Sequence, residues 1–179
     1  MRKRTFVVAV ILVLAFGVSL VAQAAEEAAV KPKIPAVGDM VPDFTLPDLS
    51  GNNISFEKDI KGKNDAAAII FMTSACSACQ AEVSAMNDIK GKFKEKFGIY
   101  AIAVDIRGAD TVGPYTKTYK YDATFLLDPK FTVPRIFGFS YTPSIVLADK
   151  AGKIVFKKGG YTPGDEDLIV EKVAELVKK

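Results

Sequence analysis

The sequence predicts an α/β fold: a central mixed β-sheet flanked by helices on both faces, with an N-terminal β-hairpin extension. Three observations lead there. The run Ala66–Met72 is continuously apolar and follows the turn residues Gly62-Lys63-Asn64-Asp65, as a central strand buried on both faces requires. Soon after it, Val83, Met86, Ile89, Phe93 and Phe97 recur at three- and four-residue spacing, the stripe of an amphipathic helix. Strand–helix alternation then ends in two strands joined by a short turn and a last helix, which adds antiparallel pairing to a parallel sheet.

Residues 1–24 read as an export signal. Arg2, Lys3 and Arg4 form a basic start, residues 6–21 carry no charge, and Ala22-Gln23-Ala24 is an A-x-A cleavage pattern. The apolar run is shorter than the roughly 20 residues of a comfortable membrane span, and an uncleaved anchor is the alternative. No cysteine follows the run directly, which excludes a lipid anchor on cysteine. The rest of the chain is expected outside the cytoplasm, in the periplasm or on the outer face of the cytoplasmic membrane, where disulfides persist. Residues 25–36, rich in Ala, Glu, Lys and Pro, read as a linker, and residues 37–179 as one folded domain.

Within the domain, the turn chemistry of residues 49–54 places Ile54 and Phe56 on the return strand of the hairpin. The helix after the central strand should stop at Gly98. Residues 99–104 are the next strand, 111–121 a second helix, and 125–127 a short strand leading to Asp128-Pro129. Residues 133–138 read as one helical turn. Strands at 144–148 and 154–157 are joined through Asp149-Lys150-Ala151-Gly152. The closing helix, 165–177, carries Leu168, Ile169, Val173, Leu176 and Val177 on its apolar side. Phe131, Phe137, Phe139 and Tyr141 read as core, with a partner-binding rim near Pro143 as the alternative; Tyr115 and Tyr119 read as packing residues.

The chemistry is concentrated at Thr73-Ser74-Ala75-Cys76-Ser77-Ala78-Cys79-Gln80. Cys76 and Cys79 are the chain's two cysteines, and they stand where the central strand hands over to its helix. The first N–H groups of a helix lack intrahelical partners and carry partial positive charge, so a thiolate at Cys76 is stabilised there relative to the thiol. The thiolate is the attacking species in disulfide exchange, and Cys79, one turn on, is placed to resolve the mixed disulfide. A purely structural bridge is the weaker reading, because closing so short a loop removes only about 2 kcal/mol of chain entropy. A mature chain of about 155 residues does not depend on such a staple.

Composition removes other chemistries. The chain has no histidine, so Ser-His-Asp and Cys-His catalysis are excluded. Gln80 stands where a c-type haem attachment needs histidine, and two thiols without histidine make a poor zinc or copper set, so no metal and no cofactor is expected. Loss of Arg2, Lys3 and Arg4 with the signal takes the 24 basic side chains to 21, equal to the 21 acidic ones. No electrostatic footprint for nucleic acid remains.

The ordered set of motifs resembles the exported TlpA/ResA-type thiol–disulfide oxidoreductases of the redoxin and AhpC/TSA group, which have a thioredoxin-like fold. The likeness runs from Val37-Gly38-Asp39 and Pro42-Asp43-Phe44-Thr45-Leu46, through Phe71 five residues before Cys76, to Leu127-Asp128-Pro129, Phe137-Gly138, Thr142-Pro143 and Asp149-Lys150-Ala151-Gly152-Lys153-Ile154. It implies that Cys76 is the accessible nucleophile, that Cys76 and Cys79 form the redox disulfide, and that Glu82 sits near the thiols and moves a proton for Cys79. Thioredoxin proper uses an aspartate six residues before the first cysteine, where this chain has Ile70. The resemblance also implies a cis Thr142–Pro143 bond, with the Thr142 backbone open to pair with a substrate segment. Implied too are reduction of exported protein disulfides of the cytochrome c maturation kind, a membrane electron donor of the DsbD/CcdA type, and a monomer. The family's tryptophan before the first cysteine is replaced by Ala75, and the frequent proline between the cysteines by Ala78, leaving a smaller, flatter surface. Two other readings remain at this point. One is a peroxiredoxin with Cys76 attacking peroxide, which has Thr73 three residues before the cysteine but Ile69 where that family places proline. The other is a copper-handling protein, for which both the cysteine spacing and a histidine are wrong.

Overall fold

The computed structural model describes residues 33–178. The expected signal segment and most of the expected linker lie outside these residues. Among the described residues no helix is long and apolar enough to cross a membrane.

The core strand is β3, Ala66–Met72, in which every residue is buried. It pairs in parallel with β4, Phe97–Ala103, which pairs in parallel with β5, Thr124–Leu127. On its other side β3 runs antiparallel to β6, Ser144–Asp149, and β6 antiparallel to β7, Ile154–Gly159, giving the order β5-β4-β3-β6-β7. Successive β3 side chains point to opposite faces, as the two-residue period of a strand demands. Ala66, Ala68, Ile70 and Met72 meet helix α1, Ser77–Phe93, and closing helix α4, Asp165–Val177, through Cys79, Val83, Met86, Ile89, Ile169 and Val173. Val112 and Tyr115 of α2, Ala109–Tyr119, join that cluster. Ala67, Ile69 and Phe71 face the opposite layer, built from Phe44, Leu46, Phe56 and Ile60 with Val133 and Phe137 at α3, Thr132–Ile136. The expected mixed sheet with helices on both faces is therefore present. The N-terminal hairpin is β1, Thr45–Pro47, against β2, Asn53–Ser55.

Several elements differ from the sequence reading. Phe56 does not extend the return strand but opens a π-helical turn, Phe56–Ile60. Ser55 causes the change: its hydroxyl accepts from Lys58 N, its own N–H donates to the Asp59 carboxylate, and Phe56 is swung into the core. Gly98 does not stop the helix. The helix ends at Phe93, Lys94 takes a positive φ of 51°, and Gly98 lies inside β4. Asn64 accounts for the glycine, because a Cβ at Gly98 would sit 2.2 Å from its Oδ1. That side chain is held in place, donating to Glu95 O at 2.7 Å and accepting from Tyr100 OH at 3.1 Å. Helix α2 begins two residues earlier than expected, and Leu168 lies on the exposed side of α4. Of the four aromatics near Pro143, Phe137 and Phe139 pack on Phe71 at 5.5 and 5.7 Å between ring centroids, whereas Tyr141 is exposed.

Gly98→Ala is expected to destabilise the domain by about 1–3 kcal/mol, the usual range for forcing volume into a packed site. Urea unfolding measures it, and an unchanged midpoint would show that Asn64 yields without loss.

Candidate active site

The site forms where β3 ends. Val104 N donates to Met72 O, carrying the β3–β4 pairing one step further before the chains separate. The loop Thr73-Ser74-Ala75 then turns, with Cys76 N bonded to Thr73 O at 3.2 Å. Asp105, just past β4, clamps this loop: its carboxylate accepts from the Ser74 hydroxyl at 2.6 Å and from Ser74 N at 3.1 Å. Gln80 Nε2 reaches back to Ser74 O at 2.8 Å. The loop is thus fixed from the neighbouring strand and from the helix that follows it.

Cys76 is the N-cap of α1, with φ −90° and ψ 114°, and its Sγ accepts the Cys79 N–H at 3.1 Å. A serine or aspartate oxygen would ordinarily occupy that position; here a sulfur does, taking up a backbone N–H at the start of the helix. Both cysteines are free thiols, Cys76 half-buried and Cys79 fully buried within the α1-facing cluster. Burial pushes the Cys79 thiol up to about 12, and the adjacent Cys76 adds to the rise, while hydrogen bonds from the Thr73 backbone and the Thr142 side chain oppose it. One sulfur is therefore presented and the other held back as a thiol.

The Thr142–Pro143 bond is cis, as expected. Phe71 pairs with Ser144 in the sheet, which brings the Thr142–Pro143 corner beside the end of β3 and the cysteine loop. Pro143 O accepts from Gly160 N, and Ser144 Oγ donates to Tyr141 O, so the corner is fastened on both sides. The backbone of Thr142 makes no hydrogen bond to another backbone group among the described residues.

Glu82 lies one turn beyond Cys79 on α1 and is 1 % exposed. Its Oε2 has no hydrogen-bond partner among the described residues. Burial pushes its carboxyl up to about 8, Asp165 adds to the rise, and Lys158 opposes it. A buried carboxyl beside a buried thiol is suited to holding or accepting a proton near neutral pH. The expected residues Cys76, Cys79, Glu82, Thr142 and Pro143 fall in one region. Sequence reasoning missed Asp105, whose one visible sign was a lone carboxylate ending an apolar strand. It also missed Ile106, which is 89 % exposed just past Asp105; Ala75 and Tyr141, weighed in the sequence as surface and as rim, are exposed. Among the described residues no group of three or more His, Cys, Asp or Glu side chains could hold a metal.

Two measurements check this geometry. Alkylation at neutral pH should modify Cys76 at least tenfold faster than Cys79, read by mass spectrometry of digests, since the first sulfur is accessible and burial holds the second as a thiol. Glu82 makes stability fall as pH rises. Its folded value of about 8 exceeds that of an unfolded glutamate, so the folded state holds a proton that the unfolded chain releases. That stabilisation is complete at low pH and is lost between roughly pH 4.3 and 8, each pH step of one across this window removing about 1.4 kcal/mol. Relative to wild type, Glu82→Gln should therefore gain stability progressively across this window, measured by urea unfolding at each pH; a constant difference would sink the assignment.

Comparison with known proteins agrees with the geometry. The AhpC/TSA family model matches residues 37–157. The thiol-disulfide oxidoreductase ResA of Bacillus thuringiensis subsp. konkukian is 31% identical over 145 residues, covering 80% of this chain and 78% of that protein. A DsbE-type thiol:disulfide interchange protein from Chlorobium tepidum superposes with a TM-score of 0.71 at 24% identity, over 79% of this chain and 98% of the other. The thioredoxin domain of a thiol-disulfide oxidoreductase from Bacteroides vulgatus superposes with a TM-score of 0.66 at 25% identity, over 80% and 99%. The chain belongs to the AhpC/TSA family, as a ResA-like oxidoreductase with a thioredoxin-like fold.

Proposed function

We propose that this protein reduces disulfides of exported proteins, working outside the cytoplasm in the periplasm or on the outer face of the cytoplasmic membrane, through a Cys76–Cys79 dithiol. The observation that carries the reading is the Cys76 sulfur at the N-cap of α1, accepting a backbone N–H above a second, fully buried thiol. The Cys76 thiolate attacks one sulfur of the substrate disulfide, forming the mixed disulfide and releasing the first substrate thiolate. Glu82 takes the Cys79 proton, the Cys79 thiolate attacks Cys76 Sγ, the bond from Cys76 to the substrate breaks, and the second substrate thiolate leaves with the electron pair. Substrate gains two electrons and the protein becomes the Cys76–Cys79 disulfide. Thr142 and Pro143 flank these sulfurs, and the Thr142 backbone offers an edge along which an extended substrate segment pairs.

The electrons are returned by a membrane donor of the DsbD/CcdA type, and the protein acts as a monomer. Apocytochrome c, whose cysteines must be reduced before haem attachment, is the substrate class this reading favours. The fully buried Cys79 supports the reducing direction, because the reduced couple gains nothing from ionising that sulfur.

Mature protein should reduce insulin disulfides, with activity abolished in Cys76→Ser and the mixed disulfide trapped in Cys79→Ser. The potential of the couple should lie nearer thioredoxin's, about −270 mV, than DsbA's, about −120 mV. Peroxide consumption that survives Cys79→Ser but not Cys76→Ser would instead place the protein among the thiol peroxidases.

A further inference from the structure

Glu82 poses an electrostatic problem that the two cysteines do not solve. To accept a proton it must first be a carboxylate, and a buried carboxylate with an unpartnered oxygen requires a compensating cation. The groups acting around it come from three directions. Cys79 shares its helix. Lys158 stands on β7 and Tyr161 in the loop beyond, and Asp165 opens α4, the helix that packs on α1. Glu166 is drawn into the set through its hydrogen bond with Tyr161 at 2.9 Å.

Lys158 is the cation of this set, and its direction is set by the sheet. It pairs with Ile145 across β6 and β7, and paired residues of antiparallel strands project to the same face. Ile145 belongs to the cluster of Cys79, Val83 and Ile169, so Lys158 is directed to the side of the sheet on which Glu82 lies. In the structure its ammonium is bonded to Asp165 Oδ2, which also accepts Thr162 N at 2.7 Å. An ammonium has three donors on a flexible stem, and this contact uses one of them.

We propose that Lys158 is a movable counter-cation for Glu82, parked on Asp165 while Glu82 carries its proton and shared with Glu82 when that carboxyl ionises. Lys158 and Asp165 are positioning residues: neither touches the reacting sulfurs. When Cys79 delivers its proton, Glu82 becomes neutral, and Lys158 returns wholly to Asp165. When the Cys76–Cys79 disulfide is reduced again, the departing Cys79 sulfur recovers that proton from Glu82 and the site is restored with no net charge moved out of the core. The inference rests on the reading of Glu82 as proton acceptor for Cys79.

The opposed signs of the two partners make it testable. Full-length protein is mixed with excess chromogenic aromatic disulfide in a stopped-flow instrument; the second release of thiol reports resolution by Cys79, followed from pH 5 to 10. Removing the cation in Lys158→Met should move the Glu82-dependent midpoint up by about one pH unit, a roughly tenfold slowing below it. Removing the competing anion in Asp165→Asn should move it down. Lys158→Arg, which keeps the charge, should stay near wild type. Carbon-13 NMR titration of the Glu82 carboxyl should shift in the same senses, a readout that mere loosening of β7 would not move in opposite directions. Midpoints that stay fixed, or move the same way in both charge variants, overturn the counter-cation while Glu82→Gln still removes the pH limb. If Glu82→Gln leaves that limb intact, the proton acceptor itself is wrong and the inference falls with it.

Discussion

The bond from the Cys79 N–H to the Cys76 sulfur is the interaction on which the site depends. It makes sulfur the cap of a helix, and a cap is a position with little freedom: extended backbone at the cap residue, helical backbone immediately after. The same bond that begins α1 therefore aims the nucleophile. The first turn of α1 has no acidic residue, so the partial positive charge at the helix start is left for the sulfur. Asp105, the nearby carboxylate, is occupied by the Ser74 N–H and hydroxyl and holds the loop in place.

From this capping geometry the difference between the two sulfurs follows. The cap residue lies at the surface end of the helix, while a residue one turn further is carried down against β3. Cys76 is half-buried and Cys79 fully so for the same reason that an N-terminus projects and a first turn packs. Burial that would be merely hydrophobic for an alanine acts on a thiol by withholding its proton. The strand below makes this possible: β3 is apolar along its whole length, and it presents Ile70 and Met72 to the same cluster as Cys79.

How much of this could be read in the sequence depended on the range of the interactions. The apolar run of β3, the start of α1 and the closing helix at Asp165–Val177 are local patterns, and each is where the sequence placed it, although α1 stops at Phe93 and Phe97 belongs to β4. The juxtaposition of Thr142–Pro143 with the cysteines came from family order, since nothing local reveals that Phe71 and Ser144 are paired. Features set by distant partners were misread or missed. Gly98 looked like a helix stop because its partner, Asn64, is more than thirty residues away. Phe56 fits a strand until Asp43, accepting from Glu57 N and the Ser55 hydroxyl more than ten residues away, is seen to hold the helical turn in place. Asp105 acts on Ser74 from thirty-one residues away. That Glu82 is buried was likewise hidden, because a glutamate in the first turns of a helix is ordinarily solvated.

Ile70 and Glu82 together explain how this chain accommodates a carboxyl under the active sulfur without an aspartate in its central strand. The strand position six residues before Cys76 carries Ile70, which points into the cluster that holds Cys79. Glu82 enters the same side of the sheet from the helix above. The exchange has a consequence for its neighbours. A carboxyl at position 70 would stand among the side chains of that cluster, but one descending from α1 lies toward β7 and the start of α4, the elements that supply Lys158 and Asp165. Moving the carboxyl from strand to helix thus changes which parts of the fold govern its proton.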